Sequence, residues 1–186
     1  MILVDDHIKD QKFFKKLQKE SIWQKFPKYN WWNGWWNSNA SNIIEEFIEY
    51  SWKKYDFVKT MAGFEYWSND YADNRGLDWH NDKDEGVFQS TGKVITPDIG
   101  SVFWIKVDNV EGGYLDLDDP DGFQRIEPKE NRFVIFNAGD PHRVTPVTKG
   151  FRRTLLINPW KIKPQTFKDS DHVTIACVPQ ELPKFL

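Results

Sequence analysis

The segment FVIFNAGDPHRVTPVTKGFRRTLLIN, residues 133–158, decides the fold class. It contains an apolar run, a turn around Gly139, a short run that begins at His142, a turn at Gly150 and a second apolar run that Arg152 leads into. Gly and Pro between short stretches of Val, Ile and Phe are typical of strands joined by tight turns. The segment therefore predicts antiparallel β structure.

The same pattern occupies most of the chain after residue 57. Turn signals separate the apolar stretches, among them Gly112-Gly113 and Pro120-Asp121-Gly122. Many short strands at near-regular spacing are typical of a β-sandwich or barrel. The predicted strands are residues 87–90, 102–107, 114–117, 123–126, 133–136, 143–147 and 153–158.

The first third of the chain has helical periodicity instead. Asp10 is a candidate N-cap for a helix with Phe13, Phe14 and Leu17 on one face. Asn42 precedes a clear amphipathic pattern, and with Glu45 it has the form of a capping box. Helices followed by strands predict helices packed on the outside of a pair of sheets.

The length of 186 residues, with 39% hydrophobic and 16% aromatic residues, predicts one domain with an aromatic-rich core. We expect a single domain over residues 1–186, in which a helical support at about 1–56 precedes a β core at about 57–163. Residues 164–186 have scattered prolines and little periodicity, so we expect a tail that wraps the surface.

Charge and cysteine content exclude several classes of protein. A net charge of −3 disfavours a general nucleic-acid binder. The mean hydropathy of −0.67 predicts no transmembrane helix, and the acidic N-terminus does not have the form of a secretory signal. Cys177 stands alone, so we expect no disulfide and no thiolate metal cluster. We expect a cytoplasmic protein, in which any metal is bound through nitrogen and oxygen.

Two histidines and an aspartate have the residue types of a metal site. His80 and Asp82 are separated by one residue, which puts both side chains on one face of a strand. Alone, this pair is better explained by a solvated acidic turn, but His142 adds a second imidazole in the β-rich segment. Two imidazoles and one carboxylate match the facial triad of non-haem Fe(II) oxygenases.

Arg152 is a candidate anion-binding residue, because a guanidinium that leads into a buried strand is costly unless an anion meets it. Arg153 is expected to face the opposite side, although a bulge at the strand start would exchange the two. Arg143 also flanks the site. Lys106 is expected to point outward, and His7 and His172 are expected to be surface residues.

At these residues the chain resembles the 2-oxoglutarate/Fe(II)-dependent dioxygenases, and among them the prolyl 4-hydroxylase-like branch. That branch has a Tyr nine residues before H-x-D, a G-G-x-L strand, a hydrophobic strand ending in Phe, and H-x-V-x-x-V-x-x-G-x-R. The resemblance covers about residues 64 to 160. The matching residues are Tyr71, His80-Asn81-Asp82, Gly112-Gly113-Tyr114-Leu115, Phe133–Phe136 and the motif from His142 to Arg152.

The resemblance implies a mainly β fold with flanking helices, namely a double-stranded β-helix, which is a cupin-like jelly roll. His80, Asp82 and His142 would bind Fe(II), and Arg152 would pair with the distal carboxylate of 2-oxoglutarate. Tyr71 and Thr154 would assist in binding this cosubstrate. O2 would be the second cosubstrate, and ascorbate remains open as an auxiliary cofactor. A carboxylate at Asp82, where related halogenases have a small residue, favours hydroxylation.

The substrate and several alternatives stay open. Peptidyl proline follows from the branch alone, and a free amino acid, another small metabolite or a modified nucleobase are alternatives. Rival functions are a cupin-like metalloenzyme without 2-oxoglutarate, a jelly-roll binding module and a capsid or tail component. If the chain is viral, we expect the host cytoplasm. The oligomeric state is not predicted.

Two further stretches have more than one interpretation. Residues 116–122 faintly resemble a calcium loop, but a hairpin turn at Pro120-Asp121-Gly122 explains them better. Trp31, Trp32, Trp35 and Trp36, beside Lys25 and Lys28, are interpreted first as core residues and second as a wall of the substrate site.

Overall fold

The computed structural model describes residues 1–24, 26 and 29–174, so Lys25, Lys28, Cys177 and the end of the predicted tail lie outside the described residues. The α-helices are α1 (Gln11–Leu17), α2 (Glu20–Trp23), α3 (Ile43–Trp52) and α4 (Glu85–Thr91), with 3-10 turns at Asp56–Thr60 and Gln165–Phe167. The strands are β1 (Ile2–Val4), β2 (Tyr29–Trp32), β3 (Gly63–Tyr71), β4 (Leu77–His80), β5 (Gly100–Gly112), β6 (Leu115–Asp119), β7 (Gly122–Ile126), β8 (Phe133–Phe136), β9 (His142–Val144), β10 (Val147–Trp160) and β11 (His172–Val173).

The strands form a larger and a smaller antiparallel sheet. The described part of the chain gives a seven-stranded sheet in the order β1-β8-β5-β10-β3-β2-β11 and a four-stranded sheet in the order β4-β9-β6-β7. Val102, Trp104 and Phe136 of the larger sheet pack against Leu115 and Leu117 of the smaller one. This arrangement is the predicted jelly roll, with a buried layer of side chains between two sheets.

A second, aromatic core lies on the other face of the larger sheet. Phe14 of α1 and Phe47 of α3 pack there against Phe103 of β5. The predicted placement of helices outside the sheet pair is thus confirmed for these two helices. Within the described residues, no helix has both the length and the apolar character needed to cross a membrane.

The predicted helix starts at Asp10 and Asn42 are confirmed. The Asp10 side chain accepts hydrogen bonds from the backbone of Lys12 and Phe13, and the Asn42 side chain accepts them from Ile44 and Glu45. The capping box differs in one detail, because the Glu45 carboxylate accepts from the backbone and hydroxyl of Ser41. The reciprocal bond therefore goes to the residue before the cap.

The strand predicted at residues 87–90 is wrong, because this segment is the helix α4. The Asp84 side chain caps the helix by accepting hydrogen bonds from Gly86 and Val87, and Gly92 ends it with a φ of 73°. Capping at both ends outweighs the β preference of Val87 and Phe88.

Other boundaries differ from the sequence prediction as well. The strand predicted at 143–147 is divided between β9 and β10 around Pro146, whose nitrogen has no hydrogen to donate to a ladder. β10 extends far beyond the predicted 153–158. The sequence reading missed five strands, namely β1, β2, β3, β4 and β11.

His7 is not a surface residue, contrary to the prediction. Its ring is stacked on Phe133 at 4.6 Å between centroids, and its Nε2 lies 2.9 Å from Ser51 Oγ. Burial lowers the pKa of His7 to about 4, so the imidazole is neutral at pH 7. His172 is exposed, as expected.

The paired tryptophans contribute to the core. Trp31 and Trp32 lie in β2 and are buried, while Trp35 and Trp36 are partly buried. Trp35 is stacked on Phe64 at 5.8 Å between ring centroids. The burial and ring contacts of these tryptophans confirm the interpretation of this stretch as core.

Candidate metal centre

Backbone pairing brings the two candidate metal-binding histidines together. His80 ends β4, His142 begins β9, and the two residues are direct partners in the ladder between these strands. Their ring centroids are 4.3 Å apart. Asp82 follows β4 by two residues, and its Oδ1 lies 3.9 Å from His80 Nε2 and 3.6 Å from His142 Nε2. The three potential ligand atoms thus lie within 4.8 Å of one another.

Backbone carbonyls fix the orientation of both imidazoles. His80 Nδ1 lies 2.7 Å from the carbonyl oxygen of Asp78, and His142 Nδ1 lies 2.9 Å from that of Asp140. Because a carbonyl oxygen only accepts, each Nδ1 must be the protonated nitrogen. In the neutral rings each Nε2 therefore offers a lone pair toward Asp82, which is the tautomer that a metal ligand needs.

The electrostatics of the three residues are coupled. Burial, with a further effect of His142, lowers the pKa of His80 to about 4. Burial alone would raise the pKa of Asp82, but the interaction with the nearby His142 imidazole outweighs it and lowers this pKa. Burial likewise opposes protonation of His142, whereas Asp82 raises its pKa. Asp82 is therefore a carboxylate at neutral pH, as a metal ligand must be.

The turn that contains Asp82 is held in place and is not a solvated acidic turn. Asn81, Lys83, Asp84 and Glu85 are all buried. The Asn81 side chain donates a hydrogen bond to the carbonyl oxygen of Gly139, in the turn that precedes His142. This bond ties the two halves of the histidine-aspartate cluster to each other.

Arg152 lies in β10 and is 2% exposed. Its Nη1 donates to the carbonyl oxygen of Gly113 at 2.7 Å, but its Nε is buried and has no hydrogen-bond partner among the described residues. Burial lowers the pKa of Arg152 to about 10, so the guanidinium remains charged at pH 7. A buried cation with an unused donor is the environment that an anion would complete.

Gly113 leaves room for this arginine, and the preceding Gly112 leaves room for the backbone of Pro146. Both residues have positive φ angles, of 80° and 66°. A Cβ at Gly112 would overlap the carbonyl oxygen of Pro146, and one at Gly113 would lie 3.1 Å from Arg152 Cδ. The glycines are therefore required by close approach as well as by backbone conformation.

A narrow cavity connects the arginine with the histidines. Arg152, Thr154 and Asn69 provide polar groups, and Thr154 Oγ1 donates to the carbonyl oxygen of Asn69 at 3.4 Å. His80 and His142 line the same cavity. The remaining wall is apolar and consists of Leu77, Val102, Leu115, Phe136, Val144 and Leu156.

Tyr71 lies beside Arg152 without lining this cavity. The two residues are ladder partners in β3 and β10, and the guanidinium carbon of Arg152 lies 5.2 Å from the centroid of the Tyr71 ring. The position is compatible with a contact between Tyr71 and a molecule bound at Arg152.

The other basic residues near the motif face elsewhere. Arg153 points to the opposite side of β10, where it pairs with Asp70 and Glu20. Arg143 pairs with Asp116, and Lys106 is exposed as expected. The ladder between β10 and β5 has register shifts at Val147/Lys149, Lys149/Phe151 and Arg153/Thr154, so the strand start is irregular. The two arginines are nevertheless not exchanged, because Arg152 lines the cavity and Arg153 does not.

The acidic stretch at residues 116–122 is the hairpin between β6 and β7, as predicted. Asp116 is fully buried and accepts hydrogen bonds from Arg125 and Arg143. Its carboxylate is thus committed to two guanidinium groups and is not available for calcium. The tryptophans of residues 31–36 do not line the cavity, so their second interpretation, as a substrate wall, has no support there.

Sequence reasoning missed Asn158 and Asn69. Asn158 Nδ2 donates to Asp82 Oδ2 at 3.0 Å, and Asn69 lines the cavity beside Thr154. A signal for Asn158 was present, because it is a polar residue at the end of an apolar strand and has the same parity as Arg152. No comparable signal marks Asn69.

Two orphaned atoms test whether the cluster fits a metal and an anion. His142 Nε2 and Arg152 Nε are both buried without a hydrogen-bond partner in the part of the chain described. Unpaired buried polar atoms are uncommon, and a bound metal and a bound carboxylate would satisfy these two. Two imidazoles and one carboxylate suit a ferrous ion that keeps open coordination positions.

A jelly roll with such a cluster between its sheets is the arrangement of non-haem metalloenzymes. A family model, described as the 2OG-Fe(II) oxygenase superfamily, matches residues 66–160, about half of the chain. The chain belongs to this superfamily. It is a dioxygenase that depends on Fe(II), 2-oxoglutarate and O2.

Several solved structures have similar folds. A prolyl-4-hydroxylase from Pseudomonas putida has a TM-score of 0.63 and 15% identity, over 88% of this chain and 86% of that one. A prolyl hydroxylase from Trichoplax adhaerens, in complex with a hypoxia inducible factor peptide, has a TM-score of 0.57 and 11% identity over 86% and 83%. A viral collagen prolyl hydroxylase from Paramecium Bursaria Chlorella virus-1 has a TM-score of 0.56 and 14% identity, over 87% of this chain and 96% of that one. The search of curated proteins found no match.

Proposed function

We propose that His80, Asp82 and His142 bind the Fe(II) of this enzyme and that Arg152 binds the distal carboxylate of 2-oxoglutarate. The observation that carries the proposal is the cavity itself, which has the two histidines at its wall together with a buried, charged arginine whose Nε lacks a partner in the described structure. A dicarboxylic acid would neutralise the guanidinium while its other end reaches the metal. Thr154 and Tyr71 would then support the same cosubstrate.

The side chains of the cavity have separate tasks in this proposal. With 2-oxoglutarate and O2, the iron would supply the oxidising power for hydroxylation of a C–H bond. Arg152 orients the cosubstrate by its charge, and its burial strengthens that interaction. The apolar wall, including Leu115 and Leu156, keeps water away from the reacting groups.

The proposed substrate is peptidyl proline. Support comes from the fold, which is shared with prolyl hydroxylases, one of which is in complex with a peptide. A free amino acid or another small metabolite is the alternative. We also propose that residues 1–186 form one oxygenase domain, because α1 and α3 pack directly on the larger sheet.

Titration of the anaerobic Fe(II) protein with 2-oxoglutarate tests the site assignment. We expect a visible charge-transfer band, because a 2-oxo acid chelates the iron through two oxygens. Asp82→Ala should abolish the band, and Arg152→Gln should require more 2-oxoglutarate to produce it. A cupin-like metalloenzyme without 2-oxoglutarate, or a jelly-roll binding module, would give no band, and this result would overturn the proposal.

Succinate release tests the substrate. The screen compares proline-containing peptides, the same peptides with alanine for proline, free amino acids and nucleotides, with and without ascorbate. Proline-dependent succinate release with hydroxylation of the peptide supports the proposal. Stimulation by free amino acids and not by peptides would overturn the peptidyl substrate and leave the enzyme class unchanged.

A further inference from the structure

Asn158 is a buried polar residue that contacts Asp82, one of the three proposed metal ligands. It lies near the end of β10, is 1% exposed, and its Nδ2 donates to Asp82 Oδ2 at 3.0 Å. Asp82 itself belongs to the turn after β4, which is anchored to a different sheet. The bond therefore connects a strand of the larger sheet with the carboxylate that follows the smaller one.

The two oxygens of Asp82 have different surroundings. Oδ1 faces the histidines, at 3.6 Å from His142 Nε2 and 3.9 Å from His80 Nε2. Oδ2 accepts the hydrogen bond from Asn158. We propose that Asn158 is a positioning residue, which holds Oδ2 so that Asp82 binds the metal through Oδ1 alone. The inference rests on the proposed metal site.

The orientation of the Asn158 amide supports this role. Its Oδ1 is buried and has no hydrogen-bond partner among the described residues. A reversed amide would place that oxygen against the carboxylate of Asp82, where two acceptors repel each other. The amide is thus oriented by Asp82, at the cost of leaving its own acceptor unsatisfied.

Binding of the metal through one oxygen of Asp82 instead of two has a chemical consequence. A carboxylate that binds through one oxygen leaves three of six positions open next to two histidines. The 2-oxo acid needs two of these positions and O2 needs one. If Asp82 used both oxygens, one of these positions would be lost. Asn158 would therefore act on cosubstrate binding as well as on metal affinity.

Cobalt binding to the metal-free protein tests the inference without relying on activity. We expect Asn158→Leu, which removes the amide at similar volume, to weaken Co(II) binding by about 10- to 100-fold, as for other groups that orient metal ligands. The Co(II) absorption spectrum should also change, because its intensity depends on coordination number. Asn158→Ala, which introduces no bulk, provides a second variant should the leucine not fold.

The matched control is Asn30→Leu. Asn30 is equally buried, at 1% exposure, but its side-chain oxygen contacts His172 and its amide contacts the backbone of Tyr66. This variant should retain the Co(II) affinity and spectrum of the wild type even when it unfolds at lower temperature. Equal effects of Asn30→Leu and Asn158→Leu on metal binding would overturn the inference.

A double-mutant cycle separates this inference from the proposed function. In an Asp82→Ala background, Asn158→Leu should weaken Co(II) binding no further, because the amide acts through the lost carboxylate. If Asp82→Ala alone leaves Co(II) affinity unchanged, the proposed metal site is wrong. If Asp82→Ala weakens binding but both Asn158 variants bind Co(II) like the wild type, only the positioning role is wrong.

Discussion

Arg152 and Arg153 are neighbours in sequence with opposite environments. Arg153 pairs with Asp70 and Glu20, and these carboxylates hold its pKa above the usual arginine range even though burial opposes its charge. Arg152 has no carboxylate partner among the described residues and a lowered pKa. The first is a completed ion-pair network, whereas the second is a buried cation that an external anion would complete.

A substitution at each arginine should separate these roles. We expect Arg152→Gln to raise the KM for 2-oxoglutarate by about 30-fold or more, because removal of one partner from a buried charge pair costs about 2–5 kcal/mol. Arg153→Gln is the control and should lower the melting temperature with little change in this KM. Steady-state succinate release against 2-oxoglutarate concentration measures both. An unchanged KM in Arg152→Gln would contradict the assignment.

The buried carboxyl group of Glu65 should make the free energy of unfolding depend on pH. Burial is the largest cause that raises the pKa of this carboxyl group to about 8, and the charges of Asp82, Asp84 and Glu85 add to it, whereas the hydrogen bond from Trp160 Nε1 opposes it. An unfolded Glu loses its proton near pH 4.5. Between these values the folded state holds a proton that the unfolded state has released, so the free energy of unfolding falls as pH rises.

Glu65→Gln should remove this dependence, because glutamine stays neutral and still accepts from Trp160. Denaturant titrations from pH 5 to 8 measure the free energy of unfolding of the wild type and of the variant. The wild type should lose up to about 1.4 kcal/mol per pH unit relative to the variant. Parallel curves for the two proteins over this range would show that Glu65 is ionised when folded.

Single residues of the site differ in how far the sequence reveals them. His80, Asp82, His142 and Arg152 have chemistry and spacing that point to one site. In the structure both histidines and Arg152 line the cavity, and Asp82 lies beside the histidines. Asn158 was overlooked because its role depends on which turn lies opposite the end of β10. His7 was misjudged because sequence does not show that β8 and α3 enclose it.

At the scale of elements, α4 is the clearest departure from the sequence prediction. The Asp84 carboxylate does more than cap this helix, because it also accepts hydrogen bonds from the backbone of Gln165 and Thr166. One side chain thus attaches α4 to the 3-10 turn Gln165–Phe167. Gly86 N also donates to the hydroxyl of Thr166, 80 residues away in sequence, and local propensity does not anticipate such a contact.

Asp84→Ala should therefore lower the free energy of unfolding by more than the loss of an N-cap alone. We expect a loss of about 2 kcal/mol or more, at or above the upper end for N-caps, since the partly buried backbone donors at Gln165 and Thr166 lose their acceptor as well. Asp10→Ala, at the exposed cap of α1, is the matched control and should cost about 1 kcal/mol. Urea unfolding measures both. Equal losses would indicate that the contacts to Gln165 and Thr166 add nothing.

At the scale of the whole molecule, the site is assembled from both sheets. Arg152 and Asn158 belong to the larger sheet, while His80 and His142 belong to the smaller one. Sequence patterns predicted that two sheets exist, but not their strand order, because pairing partners such as β1 and β8 are more than a hundred residues apart. The missed strands β1, β2 and β11 all join the larger sheet in this non-local way.

A site shared by two sheets predicts that its ligands stabilise the whole fold. Metal and 2-oxoglutarate bind the native state, so each should raise the free energy of unfolding by about 2.7 kcal/mol at a concentration of 100 Kd. For a chain of this size the melting temperature should rise by about 2–4 °C per kcal/mol. Thermal scans with Co(II), with 2-oxoglutarate and with both measure the effect. The shift caused by Co(II) should disappear in Asp82→Ala, and its persistence there would place the metal elsewhere.

The alternation of side chains along β10 makes the enzyme sensitive to length changes in this strand. Arg152, Thr154, Leu156 and Asn158 share one face, and Arg153 lies on the other. A single residue inserted just before Arg152 would leave the hydrophobic character of the strand unchanged. It would turn Arg152 away from the cavity and bring Arg153 to the cavity face. Two inserted residues would restore the parity while displacing every group by about 7 Å. Diversification of this active site should therefore proceed by substitution within β10 and by length variation only in the loops.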